Sequence, residues 1–236
     1  MNPLESITKN IQQRIDEKFA DTNYIESYVA FLDILGMKNI LNKDYHEVRS
    51  IFNIIEASTE LYKNIGLSTG ERFISQNQIK LLVMSDSIVI STAKETDRSL
   101  SKLIGISSYV IKTLLSELKE PVFIRGAIAG GNLYQDDTTV FGPALSEAYL
   151  LETNEAKNMR CVVSKSLHED ENFKNYVENN KTITKDNDGF YFIDFIDVKN
   201  RVSLIEYSKN ILASDIDDKT KSKYSWLIEY LTCANV

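Results

Sequence analysis

Tyr28-Val29-Ala30-Phe31-Leu32-Asp33-Ile34-Leu35-Gly36 is the stretch on which the fold turns. It reads as an apolar strand that ends on a carboxylate and breaks at once on a glycine. A buried strand ordinarily ends in a turn residue that reaches water. An Asp followed by Ile-Leu-Gly offers instead an oxygen donor beside free backbone N–H groups, the combination a metal-bound triphosphate needs. A second apolar run, Ile79-Lys80-Leu81-Leu82-Val83-Met84-Ser85-Asp86-Ser87-Ile88-Val89-Ile90-Ser91, is too long for a typical single strand. Ser85-Asp86-Ser87 at its centre predicts a tight turn between two antiparallel strands, with a second carboxylate at the turn. The function of the chain hangs on whether Asp33 and Asp86 meet.

Outward from these two segments, Ile7, Ile11, Ile15 and Phe19 recur at helical spacing and predict an amphipathic helix over 4–20. A strand follows over 27–33, then a helix over 45–65 with Val48, Ile51, Phe52, Ile55 and Leu61 on one face. A polar loop occupies 67–77, and a further helix runs from about Asp97 to Leu118. Pro121 opens a strand through Phe123, Ile124, Ala127 and Ile128 that Gly130-Gly131 is expected to end. Leu133-Tyr134 and Thr138-Thr139-Val140-Phe141 flank the acidic turn Gln135-Asp136-Asp137. Pro143 suits the first position of a helix that reaches about Thr153. Cys161–Ser164 reads as a short strand. Beyond it come a polar helix, strands at 190–196 and near 202–206, and a C-terminal helix carrying Trp226 and Leu227.

The order β-α-β-β-α-β with a further α and β unit predicts an α+β fold with a ferredoxin-like core, in which the first and second strands lie side by side. Asp33 then faces the hairpin bearing Asp86. Two carboxylates brought together repel unless a cation lies between them. Hard oxygen donors without His or Cys neighbours select Mg²⁺ or Mn²⁺.

Composition narrows the function classes. The formal net charge of −7 argues against a general nucleic-acid binder, whose affinity comes from clustered Lys and Arg. A triphosphate is a smaller demand, met by a metal, a cation or two and backbone amides. The two histidines, His46 and His168, have polar or charged neighbours and read as solvated helix residues, so His-based general-base chemistry is not expected. Cys161 and Cys233 are too few for a disulfide framework and lie in no zinc-type spacing. No apolar stretch approaches a membrane span, and Met1–Ser6 lacks the basic and apolar segments of a secretory signal. A cytoplasmic protein without direct membrane contact is expected.

The ordered motifs resemble class III nucleotide cyclases. Phe31–Gly36 is similar to that family's first metal-binding segment, and Ser85-Asp86 to the hairpin carrying its second metal Asp. Arg125-Gly126-Ala127-Ile128-Ala129-Gly130 resembles its central strand, and Phe141–Glu152 the helix after its substrate-binding loop. Phe-Leu-Asp-Ile-Leu-Gly, Ser-Asp-Ser-Ile-Val and Phe-Gly-Pro-Ala-Leu look most like the bacterial Pycsar pyrimidine cyclases of antiphage defence. The resemblance covers roughly 28–165. It implies a helical extension over 1–26 and a cyclase catalytic domain over 27–236, with 166–236 completing the core.

It also implies a mechanism. Two divalent cations, Mn²⁺ or Mg²⁺, would be held by Asp33, Asp86 and the carbonyl of Ile34, with backbone amides around Leu35, Gly36 and Met37 cradling phosphates. The ribose 3′-oxygen would attack the α-phosphate, giving a 3′,5′-cyclic nucleotide and pyrophosphate. The site would form between the subunits of a head-to-tail homodimer, and the product would be read by a separate effector protein.

Two features depart from the family, the residues of the helix after the Gly and those that read the base. Ser146 and Leu150 align where purine cyclases carry a ribose-orienting Asn and a transition-state Arg. Arg125 or Arg160 would have to replace that cation, or the protein is a catalytically silent nucleotide-binding sensor or dimerisation module. Another two-metal phosphoryl-transfer enzyme is a third reading. Thr139 aligns with the purine-reading Asp and Leu82 with its companion Lys. A Thr hydroxyl suits a pyrimidine edge, which favours UTP, then CTP, over ATP. Arg125 reads equally as a phosphate ligand or as an ion-pair partner of Glu152 or Glu147. Arg160 reads rather as a surface residue. Asp136-Asp137 reads as a solvated hairpin tip, Asp194 and Asp197 as exposed edge charges, and Tyr149 as packing.

Overall fold

The computed structural model describes Lys9 and residues 23–42, 44–68 (side chains to 61), 79–196 and 200–233. The helix expected over 4–20 therefore lies, apart from Lys9, outside the described residues, as does most of the loop at 67–77.

The elements are β1 (Ile25–Ile34), the single turn α1 (Met37–Ile40), α2 (Tyr45–Ser68), β2 (Ile79–Met84), β3 (Ser87–Ala93), α3 (Ser99–Ser116), β4 (Ile124–Gln135), β5 (Val140–Phe141) and α4 (Pro143–Asn154). They continue as β6 (Cys161–Val163), a 3₁₀ turn (Lys165–Glu169), α5 (Glu171–Asn179), β7 (Ile183–Lys185), β8 (Tyr191–Ile193), α6 (Arg201–Leu212) and α7 (Asp218–Cys233). Seven of the strands form a path in the order β2-β3-β1-β4-β6-β8-β7, with β5 paired to β4. The fold is α+β with a mixed sheet: β4 and β6 run parallel, and the other pairs are antiparallel.

The path β2-β3-β1-β4 is the expected ferredoxin-like core, but the first and second strands do not lie side by side as expected. The strand beside β1 is β3, the return arm of the hairpin, while β2 takes the edge. The topology follows from alternation along β1. Tyr28, Ala30, Leu32 and Ile34 point into the main core, where Ile51 and Ile55 of α2 and Leu103, Ile104 and Leu114 of α3 meet them. Val29 and Phe31 point the other way, with Val89 and Ala129, against Ala144 and Ala148 of α4. Among the described residues, period-two alternation thus makes one layer of helices above the sheet and a single helix below it.

Two further expectations fail. The glycines do not end β4, which continues through Gly130 and Gly131 in unbroken register with Tyr28 and Ser27. Gly131 takes a φ of 143°, a conformation that glycine reaches and residues with a side chain rarely adopt, so the strand continues through it. Residues near 202–206 are helical rather than a strand, as part of α6. Val202 is 75% exposed while Leu204 and Ser208, one helical turn apart, face the core.

Gly142 is required where β5 turns into α4. Its φ is 143°, and a Cβ there would lie 2.6 Å from the carbonyl oxygen of Asn132. That close approach seats α4 on β4 and so aligns Ala144, Ala148 and Glu152 along the sheet.

Candidate active site

β1 delivers Asp33 to one end of the sheet, opposite Ser87 of β3 on one side and Arg125 of β4 on the other. The next residue locks the hairpin to it: the Ile34 N–H donates to the carbonyl of Asp86 (2.9 Å). The structure thus brings Asp33 and Asp86 together. The hairpin is tight, with Ser85-Asp86 its two-residue loop between the paired Met84 and Ser87. Ser85 takes a φ of 58°, the one non-glycine positive φ among the described residues.

The Leu35 N–H is occupied, donating to the carbonyl of Phe123 (2.9 Å). Gly36 turns the chain with a φ of 76°, and the first bonds of α1 run from Asn39 and Ile40 back to its carbonyl. The N–H groups of Gly36 and Met37 therefore lie at the open start of that turn. The Met37 side chain is buried in the core, so only its backbone is available to a ligand.

Arg125 donates to the Asp33 carboxylate (3.3 Å) and its Nε meets the Glu152 carboxylate. Glu152 is only 3% exposed and continues the buried stripe of α4 after Ala144 and Ala148. The ion-pair reading of Arg125 is the one the structure bears out, with Glu152 as the partner. Glu147 goes elsewhere, accepting from Ser164 and Ser166 (2.8 Å for Ser166). Arg125 thus pairs with two carboxylates, and a third, Asp86, is close enough for its charge to act on Asp33. Burial raises the Asp33 carboxyl to about 6; the Arg125 charge works against that rise, and the charges of Glu152 and Asp86 add to it.

That electrostatic deficit is the observation that bears on a cation. The donors are hard oxygens, which suit Mg²⁺ or Mn²⁺. Among the described residues no group of three or more His, Cys, Asp and Glu is arranged to hold a metal. A cation at Asp33 and Asp86 would therefore complete its shell from backbone, water or substrate oxygens.

The remaining candidates lie elsewhere on the chain. Thr139 is exposed at the β4–β5 hairpin, its N–H donating to Asp136 (2.8 Å). β4 spans 12 residues from its Arg125 end to that hairpin, roughly 40 Å. Ser146 is exposed in the first turn of α4, near Gly142. A single chain does not bring Thr139 or Ser146 to Asp33. Leu150 is 55% exposed and Tyr149 50% exposed, the latter edge-on to Phe31 (5.5 Å).

Other sequence readings are corrected. Arg160 is not on the surface: it is 2% exposed, paired with Asp186 and Asp188 and near the rings of Phe192 and Trp226. It has no freedom to serve Asp33. Asp194 is not a free edge charge, since it accepts from the Tyr230 hydroxyl (2.6 Å) and from the Ile196 N–H; Asp197 lies outside the described residues. His168 is stacked on Phe173, and burial lowers its pKa. Asp136 is not simply solvated but caps its own hairpin, accepting from the N–H groups of Thr138 and Thr139.

A cavity of about 400 Å³ begins directly after Asp33, walled by Leu35, Gly36, Phe123, Tyr207, Lys223 and Tyr224. A larger one, about 550 Å³, lies between α2 and the end of α3 against Ile51, Ile54 and Leu118, and neither aspartate lines it. Lys223 escaped the sequence reading altogether.

The chain is similar in structure to class III adenylyl and guanylyl cyclases. Against the adenylyl cyclase CyaB from P. aeruginosa the identity is 12% and the TM-score 0.45, covering 75% of this chain and 97% of that one. Against the guanylyl cyclase Cya2 the figures are 10%, 0.45, 75% and 95%. For an adenylate/guanylate cyclase/hydrolase from Silicibacter pomeroyi they are 12%, 0.45, 74% and 100%. No protein-family model and no curated protein matches the sequence. At this identity the likeness concerns the layout of strands and helices, and the chemistry rests on the residues themselves. No helix among the described residues is long and apolar enough to cross a membrane.

Proposed function

We propose that the protein is a nucleotide cyclase that converts a pyrimidine ribonucleoside triphosphate, UTP before CTP, to its 3′,5′-cyclic monophosphate and pyrophosphate. The observation that carries this reading is the adjacency of Asp33 and Asp86 at the end of a ferredoxin-like sheet, with the Asp33 carboxyl short of positive charge. The motif resemblance to Pycsar cyclases supports the pyrimidine choice and a role in antiphage signalling through a separate effector.

Asp33, Asp86 and the Ile34 carbonyl are the oxygen donors that would hold two Mn²⁺ or Mg²⁺ ions. Such ions supply charge neutralisation for the polyphosphate and acidify the ribose 3′-hydroxyl. Arg125, clamped by Glu152, fixes the rotamer of Asp33. The open backbone of Gly36 and Met37 offers N–H groups to phosphate oxygens. Closure of the ring then requires only in-line placement of the 3′-oxygen on the α-phosphate, with pyrophosphate leaving.

The distance between Asp33 and Thr139 along β4 favours a site completed by a second copy, whose Thr139 would read the base and whose Ser146 would face the ribose. Exposed Met84, Tyr149 and Leu150 around the α4 side of the sheet give that head-to-tail contact an apolar surface. The same exposed Leu150, standing where purine cyclases have an Arg, favours a second reading as a silent nucleotide sensor.

Incubation with each of the four ribonucleoside triphosphates and Mn²⁺ tests the first reading. Cyclic UMP or cyclic CMP should form, and Asp33→Ala or Asp86→Ala should each lower turnover at least about a hundredfold without unfolding the chain. Nucleotide binding without pyrophosphate release from any of the four would establish the sensor instead.

A further inference from the structure

Charge accounting around Asp33 leaves one half-buried basic side chain without an assignment. Arg125 is held between Asp33 and Glu152, and Arg160 between Asp186 and Asp188. Lys94 pairs with Glu26 and Asp170, and Lys80 donates to the carbonyl of Gln135. Lys223 of α7 differs from all of these. It is half-buried, lines the cavity that opens at Leu35 and Gly36, and has no hydrogen-bond or ion-pair partner among the described residues. Burial lowers its pKa, and the charges of Arg125, Lys219, Asp33 and Asp217 act on it. A half-buried ammonium with no hydrogen-bonded partner is available to an anionic group that enters the cavity. Its neighbour Tyr224 packs edge-on against Phe123 (5.9 Å), which fixes this turn of α7 over the start of β4.

We propose that Lys223 is the phosphate-binding cation of this site, meeting the polyphosphate tail of the nucleotide from the same chain that supplies Asp33 and Asp86. The inference rests on the cyclase reading and deepens it: α7 supplies positive charge where α4, with Leu150, supplies none. An ammonium suits this task as a point charge on a flexible stem that follows the departing pyrophosphate. It also gives the C-terminal region a direct part in substrate binding.

The test is calorimetric binding of inorganic pyrophosphate with Mn²⁺ to the full chain, alongside steady-state kinetics. Lys223→Met should weaken pyrophosphate binding about tenfold or more and raise KM more than it lowers kcat. Lys223→Arg should restore most of the affinity, and Lys219→Met, the same charge change one turn away, should leave it near wild type. The melting temperature of Lys223→Met should not fall, and Lys223→Gln, which keeps a polar end, is measured in parallel. Unchanged affinity in Lys223→Met and Lys223→Gln, or an equal loss in Lys219→Met, overturns the assignment and leaves the cyclase reading standing. A wild-type chain that binds no pyrophosphate and forms no cyclic nucleotide overturns the cyclase reading itself.

Discussion

Two arginines in this molecule each face two carboxylates, and they are put to opposite uses. Arg160, with a side chain 1% exposed, meets Asp186 and Asp188, lies near Phe192 and Trp226, and shares Asp186 with the Trp226 indole N–H (3.2 Å). Burial opposes ionisation of Asp188, but hydrogen bonds from Arg160 and from the Phe190 N–H, with the Arg160 charge, outweigh it and hold its carboxyl below the ordinary value. Arg125 meets Asp33 and Glu152 in a similar count of charges, yet Asp33 is pushed up to about 6. The difference is first the burial of Asp33, which the Arg125 charge does not offset, and then the added charges of Glu152 and Asp86. Around Arg160 two carboxylates meet the two terminal nitrogens of the guanidinium, leaving only its Nε without a hydrogen bond among the described residues, and the β7–β8 hairpin is tied to α7. Around Arg125 the presence of Asp86 and the burial of Glu152 leave the balance negative. A satisfied cluster holds a fold together, whereas an unsatisfied one is arranged for something not yet bound.

The strongest way to break this comparison is Arg160→Gln. Removing one partner of a buried cluster strands the others, and a loss of about 3 kcal/mol in unfolding free energy is expected, read by denaturant titration. Turnover per folded molecule should stay near wild type, because Arg160 touches nothing at Asp33. A loss under about 0.5 kcal/mol, in the range of ordinary surface substitutions, would show that the cluster is not the latch described.

A smaller effect of opposite sign is expected at Asp33. Its carboxyl titrates near 6 in the folded chain against 3.8 ordinarily, so the folded state carries the extra proton between those values. The stability this group allows is fully present below about pH 4 and is lost as pH rises through 6. Asp33→Asn, measured in EDTA, should therefore stabilise the protein at pH 7.5 and do nothing at pH 4. The gain should be about 1 kcal/mol, since residual solvent at the carboxylate screens part of the penalty. Equal melting of wild type and variant at both pH values would remove the electrostatic deficit on which the cation argument stands.

The half of the site that lies on continuous sequence is legible without coordinates. An apolar strand ending on Asp33 and an apolar run broken at Ser85-Asp86 specify a strand and a hairpin locally, and the ferredoxin-like order then brings them together. What escapes depends on long-range partner choice. Glu152 and Lys223 are each a charge in line with a buried helical stripe, after Ala144 and Ala148 in one case and before Leu227 and Leu231 in the other. Spacing alone marks them as unusual but does not say which cation or carboxylate they approach. The same limit misplaced Arg160, whose partners Asp186 and Asp188 come from the turn between β7 and β8. At Val202–Glu206 the window is too short to separate period two from period 3.6, and packing against α7 decides for the helix.

The finest test concerns the backbone that holds Asp86. A two-residue hairpin loop favours glycine where φ is positive, and Ser85 occupies that position at 58°. Forcing a side chain into the left-handed region costs about 1 kcal/mol, part of which a glycine would give back in chain entropy. Ser85→Gly should therefore raise unfolding free energy by a few tenths of a kcal/mol, measured by denaturant titration. If the serine is kept because it stiffens the loop, the relaxed variant should bind Mn²⁺ more weakly although it is more stable. Strain retained beside Asp86, where a better residue for the turn exists, would then set this end of the sheet apart from the Arg160 cluster in backbone as well as in charge. A variant that gains both stability and metal affinity would place the strain outside the function and leave the charge imbalance at Asp33 as the sole distinction.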